Sequence, residues 1–171
     1  MFMDLITKRR SIRRYDRRPV EPGKIEQLVE AALRAPSGRD LRPWEFVVVT
    51  DKAVLERLSQ AKPHGASFLK NAPLAVAVCV DPQKTDVWIE DAAIATTFLH
   101  LAATDLGLGS CWIQMRLRKH EDGRDAGAHA AEILGLKPGM DVLAIVAVGY
   151  PDEQKSPHAK TELPYDKVSY R

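Results

Sequence analysis

The chain is poor in several features at once, and each shortage removes a class of function. It holds two cysteines, Cys79 and Cys111, not in a Cys-x-x-Cys arrangement. That usage fits a reduced, cytosolic protein. No apolar stretch approaches the ~20 residues a membrane span needs. Met1-Phe2-Met3 is apolar, but Asp4, Lys8, Arg9 and Arg10 follow at once, which does not read as a signal peptide. The formal net charge is only +2, so overall charge gives no support to non-specific nucleic-acid binding. The histidines at 64, 100, 120, 129 and 158 show no metal-ligand spacing. His120 and His129 flank Glu121, Asp122 and Asp125 in what reads as a solvated loop, and no metal is expected. A Ser-His-Asp signature, a Walker-type loop, internal repeats and low-complexity tracts are all missing.

What remains is an ordinary globular composition, 45% apolar and 28% charged. A length of 171 residues suits a single domain over 1–171, able to bury roughly 70% of its unfolded surface. Asp4 is placed to cap a short helix running to about Arg10. Ile25, Leu28, Val29, Ala32 and Leu33 recur at helical spacing, with Pro36 as the stop. Glu45–Thr50 is a β-branched run and predicts a strand. Asp51 predicts the cap of a helix over Ala53–Gln60, and Gly65–Asn71 predicts a weak helix. Leu74–Val80 has no alternation, which predicts a strand covered on both faces. Residues 87–106 form an alanine-rich helix ended by Gly107. A strand over Ser110–Gln114, a helix over Ala126–Leu134 closed by Gly135, and a strand over Val142–Val148 complete the pattern. Residues 152–171 are polar and read as an extended arm. With two helices ahead of the first strand, the fold class is α+β, a short mixed or antiparallel sheet wrapped by helices.

Two segments carry the chemistry. Six arginines lie between Arg9 and Arg18. Read alone, they are a solvated basic face, a nucleic-acid patch or an anion site, because a planar guanidinium pairs with two phosphate oxygens at once. Aromatic residues other than Tyr15 are lacking there, which weakens a stacking role for single strands. The second segment runs from Ala35 to Phe46, where a Pro-Ser-Gly turn precedes Pro43-Trp44. It suits a backbone edge offered to a flat ligand.

Four elements in order resemble the nitroreductase family of FMN flavoproteins. They are Arg9-Arg10-Ser11-Ile12-Arg13, Ala35-Pro36-Ser37-Gly38, Gly107-Leu108-Gly109-Ser110-Cys111-Trp112-Ile113-Gln114, and Val148-Gly149-Tyr150-Pro151 with its tail. The resemblance implies the α+β nitroreductase fold and an intertwined homodimer with FMN at the interface. It implies that Arg9, Arg10, Ser11 and Arg13 hold the phosphate and the polar edge of the ring. Pro36, Ser37, Gly38, Asp40 and Arg42 match the turn that, in the family, comes from the partner subunit and closes the flavin site. Ile113, Gln114 and Met115 match the stretch along the ring, and Lys160 matches a tail cation that returns to the phosphate, with Lys155 and Lys167 as alternatives.

This chain departs from the family twice, with Asp40 for the usual Asn and Arg42 for the usual Gln. An ionised carboxylate only accepts hydrogen bonds. Asp40 is therefore left to accept from the ring N3–H, or to be neutralised by Arg39 or Arg42. Arg42 is a candidate for placing positive charge beside the ring.

The implied activity is transfer of a hydride from NADH or NADPH to a nitroaromatic, quinone or similar small acceptor by a ping-pong mechanism. The residues do not single out a catalytic side chain. The sequence does not choose between the two nicotinamide cofactors, and it leaves two other readings. One is a flavin-dependent dehalogenase or oxidase of the same superfamily. The other is an anion- or nucleic-acid-binding module built on Arg9–Arg18.

Overall fold

The computed structural model describes every residue from Met1 to Arg171. Four strands form one sheet in the order β1-β2-β4-β3: β1 is Trp44–Val49, β2 Leu74–Val80, β3 Gly109–Gln114 and β4 Asp141–Gly149. Every pairing among them is antiparallel. The central pair explains the unalternating sequence of β2. Ala75, Ala77 and Cys79 join Ile145 and Ala147 in one apolar cluster. Val76, Val78 and Val80 join Ala144, Val146 and Val148 in another on the opposite face. A strand buried on both faces has no polar side to display.

Helices cover both clusters. Helix α3 (Lys52–Ser59) and helix α5 (Ala126–Leu134) pack on the first face, whereas α2 (Pro22–Leu33) and the long α4 (Trp88–Asp105) pack on the second. The ends of these helices follow local chemistry. Asp51 caps α3 by accepting from the N–H groups of Ala53 and Val54 at 2.8 and 3.0 Å. Asp125 caps α5 in the same way, and Gly135 ends that helix at φ +65°. In α2, Leu28 and Ala32 are fully buried against α4.

Two local expectations are corrected. The first helix, α1 (Phe2–Lys8), stops before Arg9, and Asp4 sits inside it. Met1 holds the cap position, and the Asp4 carboxylate, three residues in, accepts from its ammonium at 2.9 Å as in a capping box. The weak helix expected over Gly65–Asn71 is a 3-10 turn, Ser67–Asn71, pinned by buried Leu69. None of the residues of α1 is buried. At the other end, Tyr15 bridges to Pro151, and from Ser156 onward every residue is exposed.

Candidate functional site

Residues 11–15 run extended beside β3, with Ser11 bridged to Ser110 and the Ile12 N–H donating to the Ser110 carbonyl at 3.0 Å. Ile12 and Tyr15 anchor this segment in the core. The Tyr15 hydroxyl donates to carbonyl oxygens of Ile12 and Ala147. Burial pushes that phenol well above its usual range, so it stays protonated as a donor. With Ile12 and Tyr15 turned inward, the neighbouring arginines project outward.

These arginines divide between two places. Arg9 and Arg10, with Lys8 and Lys155, line a cavity of about 690 Å³ that Gly109 also borders. There the Lys155 ammonium donates to the Ser11 carbonyl at 2.7 Å and lies 3.3 Å from Glu153. The Arg10 guanidinium donates to the Ser156 carbonyl. Glu153 ties the tail to the same segment by accepting from the N–H groups of Arg13 and Arg14 at 2.5 and 3.3 Å. Those bonds hold its carboxyl below the usual range. Arg13 points elsewhere. Its guanidinium lies 6.0 Å from the centre of the Phe68 ring and lines a second cavity of about 670 Å³. Lys160 and Lys167 sit in exposed 3-10 turns of the tail. Of the three tail lysines considered, Lys155 is the one held against the arginine segment.

Cys111 lies under this segment and is buried. Burial pushes its thiol up, and the nearby Arg13 and Lys155 offset that only in part. Cys79 is pushed up to about 12 by burial. Neither is a thiolate near neutral pH.

The Pro-Ser-Gly turn is built on strained backbone. Arg39, Asp40 and Arg42 all take positive φ, at 55°, 54° and 46°, which costs a non-glycine residue about 1–3 kcal/mol. Ser37 Oγ accepts from the Arg42 N–H at 3.1 Å, and the Gly38 N–H donates to Asp91 Oδ1 at 2.8 Å. The Asp40 charge is met by Arg42 through two hydrogen bonds, Nε–Oδ1 at 2.7 Å and Nη2–Oδ2 at 3.1 Å. Arg39 goes to Asp86 at 2.8 Å instead. Both family departures therefore fall within one ion pair. Pro36, Ser37, Gly38, Asp40 and Arg42 line neither of the two cavities.

Ile113 in β3 and Met115 just beyond it bury their side chains in the core, and the Met115 N–H is taken by the Leu143 carbonyl at 3.1 Å, so neither offers a side chain to a ligand. Gln114 is half-buried. It accepts from the Trp112 indole at 2.8 Å and donates to the Arg116 carbonyl at 2.9 Å. β3 is an edge strand paired only with β4, and its other edge meets Ser11 at Ser110.

Sequence reasoning missed two contacts. His100 on α4 brings Nδ1 within 2.7 Å of Ser110 Oγ and stacks 6.4 Å from the Trp112 ring. Burial, followed by the charge of Arg9, pulls its pKa down to about 4, so the ring is neutral. No spacing rule links positions 100 and 110. The loop read as solvated also folds back through a Lys119–Asp125 bridge, which sets His120 and His129 4.5 Å apart, ring centre to ring centre. The structure holds no group of three or more His, Cys, Asp or Glu side chains arranged for a metal ion.

Comparison with known proteins agrees with this architecture. A family model described as the nitroreductase family matches residues 6–64 and 60–150. An FMN-dependent nitroreductase from Clostridium difficile R20291 superposes with a TM-score of 0.96. It is 46% identical, and the match covers 98% of each chain. An Archaeoglobus fulgidus protein with the provisional name NADH dehydrogenase/NAD(P)H nitroreductase is 37% identical over 157 residues, 90% of this chain and 87% of its own. The NADPH-flavin oxidoreductase of Vibrio harveyi is 27% identical over 177 residues, 95% of this chain and 70% of its own.

Proposed function

Because the chain belongs to the nitroreductase family, we propose that it is an FMN-dependent oxidoreductase, drawing hydride from NAD(P)H and passing it to a nitroaromatic, quinone or similar small acceptor. The observation that carries this reading is the cavity bordered by Arg9, Arg10 and Lys155 at the start of β3, where Gly109 lines it. FMN, when bound, supplies the redox chemistry itself, and the protein supplies binding, orientation and electrostatics. Arg9 and Arg10 offer planar forks to phosphate oxygens. In the same reading, Ser11 and the backbone of Ile113, Gln114 and Met115, which lie beyond that cavity's own lining, are assigned by the resemblance to the polar edge and face of the ring. His100, neutral and bonded to Ser110, fixes the start of that strand without adding charge. Lys160 remains the tail cation matched by resemblance, and Lys155 is the one already positioned.

The functional unit in this reading is a homodimer with FMN at its interface. Three features support it. The turn from Pro36 to Arg42 lines neither of the two cavities described above, as expected of a turn that closes a partner's site. Phe2, Met3 and Ile6 on α1, and Ile94 and Phe98 on α4, are exposed apolar residues. The tail beyond Lys155 has no cover. No helix is long and apolar enough to cross a membrane, and we assign the enzyme to the cytosol, where both free cysteines stay reduced.

The test is spectroscopic. The purified protein is expected to carry flavin absorbance, to bleach anaerobically with NADH or NADPH, and to recover colour when a nitroaromatic is added. A colourless protein that takes up no added FMN overturns the reading.

A further inference from the structure

The second cavity is left unused by the site described above. It holds about 670 Å³ and is lined by Arg13, Arg14, Arg17, Lys52 and Lys70, with Asp152 as its one carboxylate. Asp152 lies 3.6 Å from Arg14. The other four cations have no carboxylate within salt-bridge distance. Elsewhere Arg34, Arg39, Arg42 and Arg124 pair with carboxylates, whereas Arg18, Arg57, Arg116 and Arg118 do not; what sets this hollow apart is that four unpaired cations share it. Gathering unpaired like charges around one hollow is unfavourable unless an anion joins them. Val20, Leu55 and Leu74 give the same hollow an apolar floor. A cation-lined wall over an apolar floor, in a volume of this size, suits a phosphorylated nucleoside.

Arg13 decides which one. It lines this cavity while its neighbour Ile12 lines the first, as Asp152 lines this one and Pro151 the first, so the two hollows lie on either side of the same pair of chain segments. The ligand that must reach the flavin and also carries phosphates is the nicotinamide dinucleotide. We propose that this cavity receives the adenosine phosphates of the reductant, and that Arg14, Arg17, Lys52 and Lys70 select NADPH over NADH through its extra ribose phosphate. Guanidinium groups near an adenosine ribose are a general means of accepting that phosphate. The proposal rests on the oxidoreductase reading for its ligand, but the cavity can be tested without flavin.

Titration of the full-length protein with 2′,5′-ADP and with 5′-AMP by calorimetry separates the extra phosphate from the adenosine. The expected result is 2′,5′-ADP binding tighter by about tenfold or more, the effect of one charge-assisted contact. Arg17→Ala combined with Lys70→Ala should abolish that advantage while bound flavin stays at the level of the parent. Arg17→Gln with Lys70→Gln keeps side-chain bulk in case the alanine pair folds poorly. In flavin-loaded protein, the ratio of KM for NADPH to KM for NADH should rise about tenfold or more in either pair. Equal affinity for the two adenylates, or an advantage that survives both pairs, overturns the proposal. So does preferential, steeply salt-dependent binding of single-stranded DNA at the same residues. Failure of the oxidoreductase reading shows separately, as a colourless protein whose adenylate titrations are still readable.

Discussion

The Gly38 N–H donates to Asp91 Oδ1 at 2.8 Å, joining the strained turn after α2 to the first turn of α4. Asp91 is 3% exposed and its Oδ2 has no hydrogen-bond partner. A buried carboxylate with one bond is costly, and what it secures is a turn whose residues Arg39, Asp40 and Arg42 all sit at positive φ. Asp91→Ala leaves the Gly38 N–H without its acceptor and should cost about 1–3 kcal/mol. Asp91→Asn keeps an acceptor and drops the charge, so it should restore most of that loss. If the turn closes a partner's flavin site, Asp91→Ala should also speed flavin release by more than its loss of stability accounts for, and Asp91→Asn should not. Denaturant midpoints and flavin dissociation rates, compared across the two variants, check this.

Gly109 is set by the close approach of the arginine segment to β3. A Cβ at this position would lie 2.8 Å from the Ile12 side chain, at its branched Cβ. That neighbour has little freedom to yield, because Ile12 is buried and its N–H is bonded to Ser110. Gly109→Ala should destabilise the fold by about 1–3 kcal/mol through overpacking and lift residues 9–13 off the strand. Flavin content should fall with it. A Gly109→Ala protein with the parent's melting temperature and full flavin would show that this contact relaxes freely.

Elements written in local signals were legible from the sequence. The helix over Ala126–Leu134 was bounded correctly, with Gly135 beyond it, and the structure adds Asp125 as its cap. Leu74–Val80 was read as a strand covered on both faces, as found. Asp4 lies at the third helical position and not at the cap, because the helix starts at Phe2 and the Asp4 carboxylate reaches back to the Met1 ammonium, a start that the local pattern does not announce. The arginine run was recognisable as a candidate anion site, but its division between two cavities depends on which residues turn inward. Only the packing of Ile12 and Tyr15 fixes that. The pairing of Asp40 with Arg42 was one of the options their charges allowed. The contacts of His100 with Ser110 and of Asp91 with Gly38 join distant elements, and no periodicity or spacing announces such pairs.

His100 makes stability depend on pH. Its pKa is lowered to about 4 from an ordinary 6.5, burial being the larger cause and Arg9 the second. The folded state therefore binds fewer protons than the unfolded chain between those values. The associated stability is fully present above about 6.5 and is lost as pH falls toward 4, over a range of roughly 3 kcal/mol. His100→Gln removes the titration and should flatten the stability profile across that interval, even if it lowers stability at neutral pH by loss of the Ser110 contact. Denaturant unfolding of parent and variant at several pH values provides the check. Parallel profiles would show that other groups govern the acid limb.

Arg9 and Arg13 stand on the same segment but face different cavities, so their removal should not be equivalent. Both side chains lack carboxylate partners within salt-bridge distance, and neither alanine variant is expected to unfold the chain. Arg9→Ala removes a fork from the cavity beside Lys155 and should weaken FMN binding by about tenfold or more, the effect of one charge-assisted contact. Arg13→Ala should also yield folded protein depleted in flavin, since the resemblance assigns Arg13 to the same cofactor. It should in addition lower affinity for 2′,5′-ADP, which Arg9→Ala should leave at the parent's value. Flavin occupancy and adenylate titration, measured on both variants, separate the two roles. If Arg13→Ala keeps full flavin occupancy while losing adenylate affinity, Arg13 belongs to the second cavity alone, and the flavin phosphate is held by Arg9 and Arg10 without it.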